Sequence, residues 1–155
     1  MDTNNHKYWD RIKSMGIAAM VFPLIIMVAG IILSQKGLTG MVEGYEEGLA
    51  RIVQYILFAI GIALFFFCDG ISDFFAQRLL VNDRQREQEN LSSYLAYVFI
   101  MLGLLDMISV MGFVGLLISG NLTWMTVFVI LTLSLQMRYF PSEGRLRKLL
   151  ERVKE

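Results

Sequence analysis

Three aspartates carry what chemistry this chain can do, because each interrupts a stretch that otherwise reads as lipid-facing helix. Asp69 and Asp73 lie in Phe65–Arg78, FFFCDGISDFFAQR, and Asp106 lies in LGLLDMISV. A carboxylate in hydrocarbon costs roughly 2.5–3.5 kcal/mol on insertion scales, so each needs a partner, water or a place near the membrane surface. Asp69 and Asp73 stand four residues apart and therefore share a helical face with Ser72, while Gly103 and Ser109 lie one turn to either side of Asp106. The pattern Asp-x-Ile-Ser at 69–72 recurs at 106–109. Asp73 is expected at the inner membrane surface, solvated or paired with Arg78, with Asp69 a turn deeper. Asp106 falls near mid-membrane and is the strongest candidate for a proton or ion pathway, followed by Asp69 and Asp73; Arg78, Ser72 and Ser109 are expected to be interfacial or structural. In antiparallel helices Asp69 and Asp106 would sit about 10 Å apart in depth at 1.5 Å per residue, which argues against a preformed carboxylate dyad.

Other chemistries are closed. Cys68 is the only cysteine and His6 the only histidine, which excludes an intrachain disulfide, a bis-histidine haem and a Cys/His zinc site from this chain alone. No metal site and no cofactor is expected. No Walker loop, Ser-His-Asp set or His-Glu-x-x-His is present, and His6 lies in a polar lead where it reads as solvated. Hence no catalytic activity is expected.

The helices that must hold these aspartates follow from composition. With 55% hydrophobic and 18% charged residues and a mean hydropathy of +0.55, the chain is too apolar for a soluble domain. It reads as a single all-α membrane domain of four spans, at about 15–33, 52–75, 93–118 and 122–138. The first run, Met15–Leu33, is 19 uncharged residues, near the roughly 20 needed to cross about 30 Å and longer than a signal-peptide core. Pro23 inside it removes a helical hydrogen bond that a neighbour or water must repair. Tyr8 and Trp9 precede it as an interfacial aromatic belt.

The connection at 34–51 carries Gly37, Gly40, Gly44 and Gly48 and reads as an exterior glycine-rich loop, with a one-faced helix as the lesser alternative. Ala59 and Ala63 make a small-xxx-small stripe on the second span, and Gly115 with Ser119 makes another on the third. The polar segment 79–92 resembles a helix cap at Asn82-Asp83 followed by a short amphipathic helix or one that continues into the third span. Ser119-Gly120-Asn121 is a tight turn, making spans three and four a hairpin. Tyr94 and Tyr97 are expected at the inner interface and Trp124 at the outer one. Pro141 ends the fourth span. The tail 142–155 places Leu146, Leu149, Leu150 and Val153 at helical spacing among basic residues, an amphipathic helix for the cytoplasmic surface or a partner.

Three Lys and Arg precede the first span, three lie from Arg78 to Arg86 and six from Arg138 onward, against two from Lys36 to Arg51. Both termini are therefore expected in the cytoplasm, in a bacterial inner membrane. Zero formal net charge gives no electrostatic reason for a nucleic-acid partner. The expected partners are the lipid bilayer and a protein partner or further copies of the chain. The leading functional expectation is a non-catalytic structural, assembly or accessory subunit of a membrane complex, and the alternative is a proton- or cation-coupled transporter or channel subunit using the aspartates.

Three family resemblances touch parts of the chain. Asp69-Gly70 resembles the opening of the CDP-alcohol phosphotransferase motif, but the following Ala-Arg and the later Gly-x-x-x-Asp-x-x-x-Asp are missing. The intramembrane aspartates are similar to those of lipoprotein signal peptidases, whose Asn- and Gly-rich motifs are absent. Tyr45-Glu-Glu-Gly-Leu-Ala-Arg51 resembles the aromatic-Glu-Glu…Ala-Arg segment before the second span of the small four-helix subunit of tripartite periplasmic transporters. That resemblance implies inside termini and a similar length. The family's arginine after the first span and histidine after the second are absent here, so no family is assigned and no site residue is carried over.

Overall fold

The computed structural model describes residues 3–40, 47–80 and 87–152, and in them the chain forms five helices. These are α1 (Thr3–Gln35), α2 (Glu47–Leu79), α3 (Glu87–Ser119), α4 (Leu122–Arg138) and α5 (Glu143–Arg152). No strand occurs among the described residues. Three helices contain segments long and apolar enough to cross a membrane, His6–Gln35, Arg51–Leu79 and Leu91–Ser119, with mean hydropathies of 2.7, 2.1 and 2.2. A fourth candidate is α4 with α5, two helices joined by a 78° bend. The first three helices have 33 residues each, about 50 Å at 1.5 Å per residue, so they outrun a hydrocarbon layer of about 30 Å. From residue 3 to residue 14 the polar lead is thus helix, continuous with the apolar run.

α3 is the centre of the bundle. It packs on α1, α2 and α4, and α1 also packs on α4, whereas α2 lies against α3 and meets α5 near its C-terminal end. Its buried side includes Tyr94, Tyr97, Met101, Leu105, Ile108, Ser109 and Leu116, and α4 answers with Met125, Phe128, Val129, Thr132, Leu135 and Gln136. Both sets recur every three or four residues, one helical face each. Lipid is as apolar as leucine, so close packing is what must hold such faces together. Phe128 supplies it between three helices: a Cβ on Gly112 of α3 would come within 2.5 Å of the Phe128 Cβ, and one on Gly61 of α2 within 2.7 Å of its ring. Outward-facing side chains on α1 and α2 are large and apolar, Phe66 being 74% and Phe67 69% exposed, a surface that suits lipid and not water.

The turns are built from their own residues. α1 ends on Gly37 (φ 66°), with Leu38 N–H donating to Leu33 O at 3.0 Å and Gly37 N–H to Ser34 O at 3.1 Å, a left-handed glycine stop. Gly40 (φ 72°) then donates to Leu117 O of α3 at 3.0 Å. The loop reading of this stretch therefore holds for Gly37 and Gly40 but not for Gly48, which lies in the first turn of α2; Gly44 and the Tyr45-Glu46 pair lie outside the described residues, as do Asn82-Asp83, Arg84, Arg86 and Val153. In the α3–α4 hairpin Gly120 (φ 70°) closes α3, and Asn121 caps α4 by accepting from Thr123 N–H at 3.0 Å. Ser142 caps α5 likewise, accepting from Arg145 N–H at 3.2 Å.

Aromatic side chains fill the contacts between helices, and the small-residue stripe expected at Ala59 and Ala63 is corrected. Trp9 of α1 is buried against Tyr94 of α3, ring centroids 5.9 Å apart, and Tyr94 and Tyr97 are buried and stacked. Trp124 packs edge-on against Phe58 at 5.1 Å. Ala59 and Ala63 face away from the bundle, and Gly61, Cys68, Ser72 and Ala76 form the packed side of α2 instead. Gly103 also points outward, with nothing within 4 Å of a Cβ placed on it.

Candidate functional site

The candidate site begins with Pro23. Its ring nitrogen has no hydrogen to donate, so in α1 the carbonyl of Ala19, four residues earlier, loses its helical partner. Gln136 of α4 supplies the replacement: its Nε2 donates to Ala19 O at 3.2 Å. The same nitrogen donates to Asp106 Oδ1 of α3 at 2.7 Å. One side chain thus repairs α1 and joins the mid-span aspartate to α4. Gln136 is fully buried, and its Oε1 has no hydrogen-bond partner. Ser109 does not touch the carboxylate, since its hydroxyl donates to the backbone carbonyl of Asp106 at 2.8 Å.

Asp69 and Asp73 are held at the end of the bundle where α2 finishes. Arg138, the last residue of α4, donates from Nη2 to Asp69 Oδ2 at 2.7 Å, and the Tyr139 hydroxyl donates to Asp69 Oδ1. Tyr139 lies just beyond α4; burial first, then its bond to the carboxylate, pushes the phenol up and keeps it a donor. Asp73 meets Arg152 of α5, whose Nη1 lies 3.0 and 3.3 Å from its two oxygens. That carboxylate keeps the Arg152 guanidinium firmly charged. Arg78, offered as a partner for Asp73, instead lies over the Phe74 ring at 4.7 Å from its centroid. Ser72 is buried and shares a hydrogen bond of 2.6 Å with the Tyr97 hydroxyl.

The bend between α4 and α5 organises these contacts. Arg145 donates from Nη1 to Arg138 O at 2.6 Å and lies over the Tyr139 ring at 4.1 Å, so a cation caps the carbonyl end of α4. Phe140 and Pro141 rest on α1 at Gly16, where a Cβ would come within 2.9 Å of both. Leu146 and Leu149 bury the inner face of α5.

The aspartates do not gather into one centre. The Ser72–Tyr97 bond sets the α2–α3 register, and by it Asp69 lies level with about residue 100, six residues or about 9 Å from Asp106. Among the described residues, no three His, Cys, Asp or Glu side chains come together to hold a metal ion. His6 is exposed with Asp10 Oδ2 at 3.2 Å from Nδ1. Comparison with known protein families, characterised proteins and solved structures finds no match to this chain.

Sequence reasoning found the three aspartates and missed what holds them. Gln136 is the one amide side chain in the fourth apolar stretch, and a buried amide in a span demands partners. Pro23 pointed to a freed carbonyl at Ala19. Those two signals together mark the node; the pairing of Arg138 with Asp69 left no local signal, because it depends on where α4 ends against α2.

Proposed function

We propose that this chain is a non-catalytic integral membrane subunit that supports the assembly or stability of a larger or homo-oligomeric membrane complex. In this reading it crosses a bacterial inner membrane four times with both termini in the cytoplasm, and α5 lies on the cytoplasmic surface. The observation that carries the reading is that every aspartate singled out by the sequence is engaged by the α4–α5 unit: Asp106 by Gln136, Asp69 by Arg138 and Tyr139, Asp73 by Arg152. Carboxylates so engaged fasten helices together. The excess of Lys and Arg in the segments assigned inside supports the orientation. Purification in mild detergent with a tag on the chain tests the role, with a stable larger assembly expected and a monodisperse single copy overturning it. Single cysteines placed at residue 4 and residue 154 in a Cys68→Ser background test the topology; reaction with an impermeant reagent from outside intact cells would refute it.

A second reading, proton- or cation-coupled transport through Asp106, Asp69 and Asp73, is favoured by one observation, the partnerless Gln136 Oε1 beside Asp106. It requires Asp106→Asn to abolish flux in liposomes while the protein stays folded, because the amide keeps the shape and cannot titrate. Undiminished flux in that variant would end it.

A further inference from the structure

α1, α3 and α4 meet at one polar point, and its hydrogen bonds do not balance if Asp106 is a carboxylate. An amide side chain has two N–H donors and one acceptor oxygen. Gln136 directs its nitrogen at Ala19 O and at Asp106 Oδ1, which uses both donors and leaves Oε1 buried without a partner. An ionised Asp106 would then hold its charge at mid-span on one hydrogen bond from a neutral amide, beside a second acceptor equally in need of a donor. Buried charges and unpaired polar groups are each strongly disfavoured.

No neighbouring charge offsets this. On α4, Arg138 is committed to Asp69, and on α2, Asp69 and Asp73 are both engaged by arginines about 9 Å or more toward one end. On α1, Lys13 lies six residues before Ala19, again about 9 Å along the axis. On α3 itself, the Ser109 hydroxyl is turned to the backbone.

We propose that Asp106 carries a bound proton in the folded protein, and that as a carboxylic acid it donates from Oδ2 to Gln136 Oε1. Acid and amide then close a two-bond ring: Nε2–H to Oδ1 in one direction and Oδ2–H to Oε1 in the other. Every polar atom of the node gains a partner, with one proton taken from water and nothing else required. A bound metal cation fits less well, because the Gln136 N–H groups point at the two oxygens, Ala19 O and Asp106 Oδ1, that would have to coordinate it.

Infrared spectroscopy of the full chain, labelled with carboxyl-13C aspartate and purified at neutral pH, tests this directly. Of six aspartates, one is expected to show the carbonyl band of a protonated acid, lost in Asp106→Asn. Carboxylate bands alone in the wild type would overturn the proposal even if the variant failed to fold. Reversible unfolding in detergent gives a second measure. A folded state that keeps the proton releases it on unfolding, so above an unfolded aspartate value of about 3.9 the wild-type unfolding constant rises up to tenfold per pH unit relative to Asp106→Asn. Equal pH slopes would refute the bound proton, and sodium-dependent stabilisation present in wild type and lost in Asp106→Asn would replace it with a cation.

Discussion

Replacing Gln136 with leucine tests whether one amide serves two helices at once. Gln136→Leu removes the bonds to Ala19 O and Asp106 Oδ1. Interhelical hydrogen bonds in membrane proteins average about 0.6 kcal/mol and reach about 1.7, so two contribute about 1.2–3.4 kcal/mol. The bond that protonated Asp106 donates to Oε1 is lost as well and contributes about 0.6–1.7 kcal/mol. The expected loss is about 1.8–5.1 kcal/mol. Pro23→Ala separates the two bonds, because alanine restores an N–H for the Ala19 carbonyl. On that background Gln136→Leu should cost about 0.6–1.7 kcal/mol less, the worth of one bond. The assay is reversible unfolding of the full chain in mixed micelles, followed by helical circular dichroism, for wild type, both single variants and the double variant. Additive losses would show that Gln136 is not the repair for Pro23.

Gly112→Val should destabilise by about 1–3 kcal/mol through overpacking against the Phe128 Cβ, a clash that Phe128→Ala should not relieve because alanine keeps that atom, whereas Gly103→Ala, with open space at its Cβ, should be neutral or gain up to about 1 kcal/mol; the same unfolding assay compares them. Asp69→Asn should cost about 0–1 kcal/mol, because Asp69 and Arg138 are each a little over half exposed, and the loss should shrink in high salt. Leu149→Asp should release α5, at about 1.5–3 kcal/mol for the lost burial, and speed tryptic cutting after Arg145 and Arg147. Arg152→Ala, which removes only an exposed ion pair with Asp73, should leave the cutting rate nearly unchanged.

The helical character of the chain and its apolar stretches were legible in the sequence because both rest on composition and length. So were the break at Gly37 and Gly40, read as part of a glycine-rich loop, and the turn at Gly120 and Asn121, which rest on residues that tolerate few conformations. Packing faces were not. α2 and α3 are apolar around most of their circumference, so no periodicity tells a side that meets α4 from one that meets lipid. That is why the alanine stripe at 59 and 63 looked like a contact surface while the glycines at 61 and 112 make it. Aspartates could be found because each is costly in hydrocarbon wherever it points. Their partners lie 30 to 79 residues away in sequence, and only the three-dimensional register selects them.

The central position of α3 and the late position of the α4–α5 unit impose an order on biosynthesis. α1 and α2 share no extended interface, so when the ribosome has delivered both, each stands in lipid with its future packing face empty. α3 gives them a common surface. Asp69 and Asp73 still wait, because Arg138 and Arg152 leave the ribosome after α3. Until then α2 must keep its two acids near the aqueous boundary, and the arrival of these arginines lets that end of the helix settle against its neighbours. A nascent chain stalled before residue 138 would therefore present an unfastened α2 to the cell's membrane quality control.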